Sequence, residues 1–297
     1  MTVTQTSSTA YTPSARGAPT SSSARKVIHR TQGRRHGPIT RLMSPGDLGQ
    51  IVKPFVFLDL VEAETFGGGF QAHPHSGIAT HTTLLKGGMG YADSTGQSGT
   101  LSDGSVEWMR AGGGVWHTGF PMEDKPTLGY QLWLSLPAEL ELAPPESQYL
   151  GAEAIEDVGP ARLLLGAYEG RTSPIALPWS LTYLHVRLND GERWTYRPAD
   201  DHDVAWLALH RGRVHVGGVV LEREMAVFEE GAAPIDIVAE GSVELVIASS
   251  ARHPHPLVLG YYSVHTSAAA LAQGEANIAQ MARTPQVEAL RTFRLQT

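Results

Sequence analysis

The stretch that decides the fold reads GGGFQAHPHSGIATHTTLLKGG from Gly67 to Gly88 and closes with EWMRAGGGVWHTGF from Glu107 to Phe120. His73 and His75 are two residues apart. In a strand such a pair points to one face, about 7 Å apart along the chain. Turn signals at Gly87-Gly88, Ser94-Thr95-Gly96 and Asp103-Gly104 leave room for further short strands before His117. With His117 on a strand beside His73 and His75, three imidazoles converge. That donor set suits a divalent transition metal. Gly112, Gly113 and Gly114 let the backbone turn sharply beside the third histidine.

Upstream, KPFVFLDLVEA (53–63) is short, aromatic and β-branched, with Asp59 as a candidate acid near the site or a residue satisfying backbone groups. Downstream, YQLWLSLP (130–137) is a strand whose Gln131 lines a cavity or is satisfied in a barrel wall. Trp108, Met109, Trp116, Phe120, Met122 and Trp133 supply core or cavity wall. A Pro-containing segment then leads to a second set of short strands, such as LTYLHVRLNDGERWTYRP and SVELVIASS. Their histidines (His185, His202, His210, His215) do not repeat the pair-plus-third spacing. His253-Pro254-His255 does repeat the pair, but beside Pro256 it reads as a loop. The alanine-rich run 267–282 is a helix with Ser267 as N-cap, and 284–297 is a second short helix or a frayed end.

The 297 residues suffice for two domains, and 41% hydrophobic with 18% charged is a globular composition. The absence of cysteine excludes disulfides, thiolate metal sites and cysteine nucleophiles. The net charge is −7, yet the first 46 residues carry seven Lys/Arg and no Asp/Glu. The remaining body is therefore strongly acidic and unsuited to nucleic acid. No apolar run approaches the roughly 18 residues of a membrane span, and no apolar secretory core is visible. The Ser/Thr-rich residues 1–24 read as a disordered tail; an organelle transit peptide has a similar composition. The basic cluster Arg30, Arg34, Arg35 and His36 reads as a solvated turn between edge strands.

HPHSGIATHTTLLKG (73–87) and SVEWMRAGGGVWHTG (105–119) resemble the two motif phrases of the pirins, a branch of the cupin superfamily. Those phrases read HPHRGFETVTYVLEG and DVQWMTAGRGIxHAE. SPGDLGQIVKPFVFLD (44–59) and YQLWLSLP extend the likeness across residues 44–137. The resemblance implies an all-β fold of two tandem cupin (jelly-roll) barrels with a short C-terminal helix. It divides the chain into a tail (1–24), an N-terminal barrel with the metal site (25–140), a linker (141–160) and a C-terminal barrel with the helix (161–297). It implies metal ligands at His73, His75 and His117, Fe(II) as the favoured ion with nickel, zinc, copper or manganese as substitutes, and a cytoplasmic location.

Two departures stand out. Pirins carry a glutamate ligand two residues after the last histidine, where this chain has Gly119. The cupin glutamate four residues after the second histidine is Ala79 here. His81 shares the parity of His73 and His75. At about 20 Å from His75 along an extended strand it is too far to ligate with it. The expectation is therefore that His81 lines the deeper cavity as a catalytic base. The resemblance points to a dioxygenase of the quercetin 2,3-dioxygenase type acting on a small aromatic or enediol substrate. The alternatives are a redox-responsive regulator that binds a protein partner and a metal-free small-molecule binder.

Overall fold

A computed structural model describes residues 25–64, 70–122, 125–177 and 179–293. The expected disordered tail, 1–24, lies outside them. Among the described residues the chain is mostly antiparallel strand, closed by α1 (Ala268–Met281) and α2 (Pro285–Thr292). The first barrel faces a four-stranded sheet against a seven-stranded one. The four-stranded sheet runs Phe70–His75, Val115–Pro121, Met89–Asp93, Ser98–Leu101. At the centre of the larger sheet lie Ile78–Lys86 and Thr127–Ser135, flanked by Val106–Arg110 and Phe55–Ala63. The second half supplies nine strands of a ten-stranded sheet built around Val204–Val216 and Ile235–Ser250.

Residues 78–85 are buried without a break. A strand reads this way when both its faces are covered. Ala79 and Leu85 join a core that also contains Tyr183, Trp206 and Val246 of the second barrel. Ile78 belongs instead to the interior of the first barrel, with Met109 and Trp133. The two barrels thus share a large apolar interface.

The ends of the chain cross over, against the expected linear division at 25–140 and 161–297. Val27–Thr31 pairs antiparallel with Met225–Phe228 of the second barrel. Arg25 is buried there, its Nη2 donating to the Asp203 carbonyl at 2.8 Å. The C-terminal helices pack on the first barrel instead. Trp116 Nε1 donates to the Ile278 carbonyl at 3.0 Å, and the Asn277 amide donates to the Gly113 carbonyl at 2.9 Å. Hydrophobic periodicity locates an element but not its partner, so neither crossing was visible in the sequence. Ser267 is the N-cap its sequence position predicts, and Thr284 is a second cap that the structure adds. Ser267 Oγ accepts from Ala270 N at 3.2 Å, and Thr284 caps α2 with Pro285 in its first turn.

His81 is not where its parity placed it. The chain leaves one sheet at His75 and enters the other at Ile78 through Ser76-Gly77. Gly77 has φ +72°, and a Cβ there would lie 2.1 Å from the Val264 carbonyl oxygen. This two-residue corner resets the alternation, so Thr82 and Leu84 face the cavity. His81 faces the second barrel, fully buried, its ring edge-on to Tyr183 at 5.5 Å between centroids.

Burial pushes His81 down to about 3. The folded state therefore excludes a proton that the unfolded chain takes up below about 6.5. Stability from this group is complete above pH 6.5 and lost as pH falls toward 3, up to about 5 kcal/mol. Urea titrations should show His81→Leu losing less stability than the parent between pH 6.5 and 4. An unchanged pH slope would contradict this placement.

Candidate metal centre

Phe70–His75 runs antiparallel beside Val115–Pro121, with His117 directly opposite His73 and Val115 opposite His75. His73 and His75 share a face by strand alternation. The ring centroids of His73 and His117 are 4.4 Å apart, and each lies 5.0 Å from His75. One nitrogen from each ring can be chosen so that all three lie within 4.8 Å of one another.

The hydrogen bonds fix which nitrogens those are. A carbonyl oxygen only accepts, so a ring nitrogen bonded to one carries the proton. His73 Nδ1 donates to the Gln71 carbonyl at 2.7 Å, and His75 Nδ1 donates to the Tyr262 carbonyl at 3.1 Å. Their Nε2 atoms are therefore bare lone pairs. His117 Nε2 lies 2.9 Å from His73 Nε2. Two cis nitrogens at an ordinary metal–nitrogen bond of about 2.1 Å would be about 3.0 Å apart, so the spacing fits one ion held between the rings. Burial, followed by the charge of His117, pushes His73 down to about 3. Burial, then His73 and His117, hold His75 well below the imidazole range. Both rings thus stay neutral, the form that ligates.

The histidines stand on the wall of a cavity of about 510 Å³. Trp133 stacks on Phe57 at 4.0 Å to give a flat apolar side. Trp116 also lines the cavity, whereas Trp108 is core. Asp59 is in the wall, in an ion pair with Arg41 whose guanidinium covers Phe57 at 4.0 Å. Gln131 lines the cavity as well, with its Nε2 buried and lacking a hydrogen-bond partner. His253 and His255 lie outside this cavity.

Two contributors were missed in the sequence. Glu107, only 3% exposed, places Oε1 at 3.5 Å from His117 Nδ1. Its signal was a lone carboxylate in an apolar strand. Tyr262 arrives from the far end of the chain in a left-handed conformation, φ +58°. Its carbonyl orients His75 and its ring lies 5.4 Å from His73. A buried chain anchors that segment. Ser76 Oγ donates to Ser263 Oγ at 2.9 Å and also contacts His265 Nε2 at 3.0 Å; His265 Nδ1 meets Glu141 at 3.2 Å.

A family model described as Pirin matches residues 38–134. A pirin-like protein of Caulobacter vibrioides is 33% identical over 201 residues, covering 64% of this chain and 72% of its own. The chain belongs to the pirin family. A candidate quercetin 2,3-dioxygenase of Pseudomonas aeruginosa is 29% identical to this pirin, covering 75% of this chain and 84% of its own. Among solved structures, a quercetin 2,3-dioxygenase from Acinetobacter baumannii superposes with a TM-score of 0.81 at 23% identity, covering 89% of this chain and 99% of its own. The Escherichia coli pirin YhhW, in complex with nickel(II), gives 0.60 at 21% identity, over 77% and 98%. These likenesses establish the two-barrel all-β cupin fold. No helix among the described residues is long and apolar enough to cross a membrane.

Gly119, two residues after His117, lines the cavity. A Cβ there would meet Met89 Sδ at 3.4 Å and Phe70 at 3.8 Å, ordinary contacts. Gly119→Glu should therefore fold and raise nickel(II) affinity at least tenfold by calorimetry. An affinity equal to or below the parent's would show that a carboxylate at this position does not reach the ion.

Proposed function

We propose that this pirin is a metal-dependent oxygenase of the quercetin 2,3-dioxygenase type, oxidising a flavonol or related aromatic enediol with O₂. The observation that carries the reading is the convergence of three imidazoles, two with bare Nε2 atoms fixed by backbone carbonyls, on the wall of a mostly apolar cavity. The names of the Pseudomonas and Acinetobacter relatives, and the nickel(II) of the Escherichia coli complex, support it. His73, His75 and His117 would hold one divalent ion, Fe(II) by preference. Such an ion supplies Lewis acidity and, when redox-active, the electron exchange that O₂ chemistry requires.

The residues of the chain supply the rest. The volume falls in the usual range for a small-molecule site, roughly 300–1,000 Å³. The Phe57–Trp133 stack offers a flat face to an aromatic ligand. Tyr262 closes the cavity beside His73 and His75. Glu107, Gln131 and the Arg41–Asp59 pair are the polar groups that orient a substrate bearing several oxygens. His81 takes no part, because its ring is on the other face of the sheet.

An oxygen electrode tests this with quercetin as the probe and iron-loaded protein. Uptake should depend on quercetin, fall at least 100-fold in His117→Ala, and persist in His81→Leu. Metal-loaded protein that consumes no oxygen with quercetin or simpler enediols would sink the oxygenase reading and leave a binding or regulatory role.

A further inference from the structure

We propose that Glu107 is the positioning residue that fixes His117 as a ligand, setting behind that ring the negative charge which Gly119 removes from the ion's own surroundings. The inference rests on the reading that the three histidines hold a metal.

The argument begins with tautomers. His73 and His75 each give Nδ1–H to a backbone carbonyl, which leaves Nε2 free. His117 has a carboxylate in the equivalent place, Glu107 Oε1 at 3.5 Å from Nδ1. A carboxylate accepts and never donates when ionised, so this neighbour favours the proton on Nδ1 and the lone pair on Nε2. Without that partner, the 2.9 Å contact between His117 Nε2 and His73 Nε2 is favourable only if His117 Nε2 carries a proton. That tautomer cannot ligate through Nε2. Ligation also makes Nδ1–H a stronger donor, which draws the long 3.5 Å contact toward a hydrogen bond.

Glu107 is built to accept. It stands opposite Thr82 on the larger sheet and reaches across to the histidine sheet. The Thr82 hydroxyl donates to its Oε2. That hydroxyl has one proton and also lies 3.2 Å from the Gln131 side-chain amide. That single proton goes to the carboxylate, the stronger acceptor, rather than to the Gln131 side-chain oxygen. Oε2 is occupied and Oε1 is left for His117.

The test uses the full chain and nickel(II) chloride. Glu107→Ala should weaken nickel about 10- to 100-fold, with the melting midpoint of the metal-free protein close to the parent's. Glu107→Gln keeps an acceptor but no charge and should fall between the two. In the cobalt(II)-loaded parent, proton NMR should show three solvent-exchangeable shifted signals, one per Nδ1–H. Glu107→Ala should keep two and lose the third to exchange. Three intact signals with affinity within twofold of the parent would overturn the inference. If Glu107→Ala does not fold, Glu107→Gln decides: parent affinity overturns the role of the charge. A parent that binds neither ion overturns the metal reading itself, a result distinct from any of these.

Discussion

Two ring nitrogens facing each other across 2.9 Å, His73 Nε2 and His117 Nε2, set the constraint around which the first barrel is arranged. Backbone carbonyls hold the far side of His73 and of His75, so the near sides are lone pairs. Lone pairs at that distance repel unless a cation or a proton lies between them. That proton would be His117 Nε2–H, and the Glu107 carboxylate 3.5 Å from His117 Nδ1 favours the proton on the other ring nitrogen. A metal ion resolves the contact at normal bond lengths. The strand pairing that places His117 opposite His73 gives this arrangement its geometry, and the sharp corner at Gly77 lets the next strand build the opposite wall.

The crossing of the chain ends couples this centre to the whole molecule. The carbonyl that orients His75 belongs to Tyr262, nearly two hundred residues later in the chain. The segment carrying it is pinned by the buried Ser76–His265–Glu141 chain and followed by α1, which packs on the strand of His117. The first strand, in turn, completes the sheet of the second barrel. Each barrel is finished by a piece from the opposite end of the sequence. The shared core between them, containing Tyr130, Tyr183 and Trp206, resists their separation. Removing the C-terminal segment would thus remove part of the metal site as well as a surface helix.

Much of this was legible in the sequence. The His-x-His pair and the third histidine are local patterns whose spacing encodes strand geometry. The cap at Ser267 is local too. His81 was misplaced because parity was carried through Ser76-Gly77, where a positive φ and a change of sheet cancel it. Glu107 and Tyr262 were missed for a different reason. Their roles depend on contacts across the barrel and along the whole chain, which no window of residues records. That a glycine, Gly119, follows His117 by two residues was plain. That a buried carboxylate stands instead behind His117 required the fold.

The central claim is that three imidazoles, with no carboxylate among them, define one metal site per chain. X-ray absorption on protein loaded with one equivalent of nickel(II) counts those ligands directly. The account predicts three imidazoles at about 2.1 Å, with light-atom donors from solvent completing the shell. Fewer than three imidazoles, or an unchanged spectrum in His117→Ala, would contradict it.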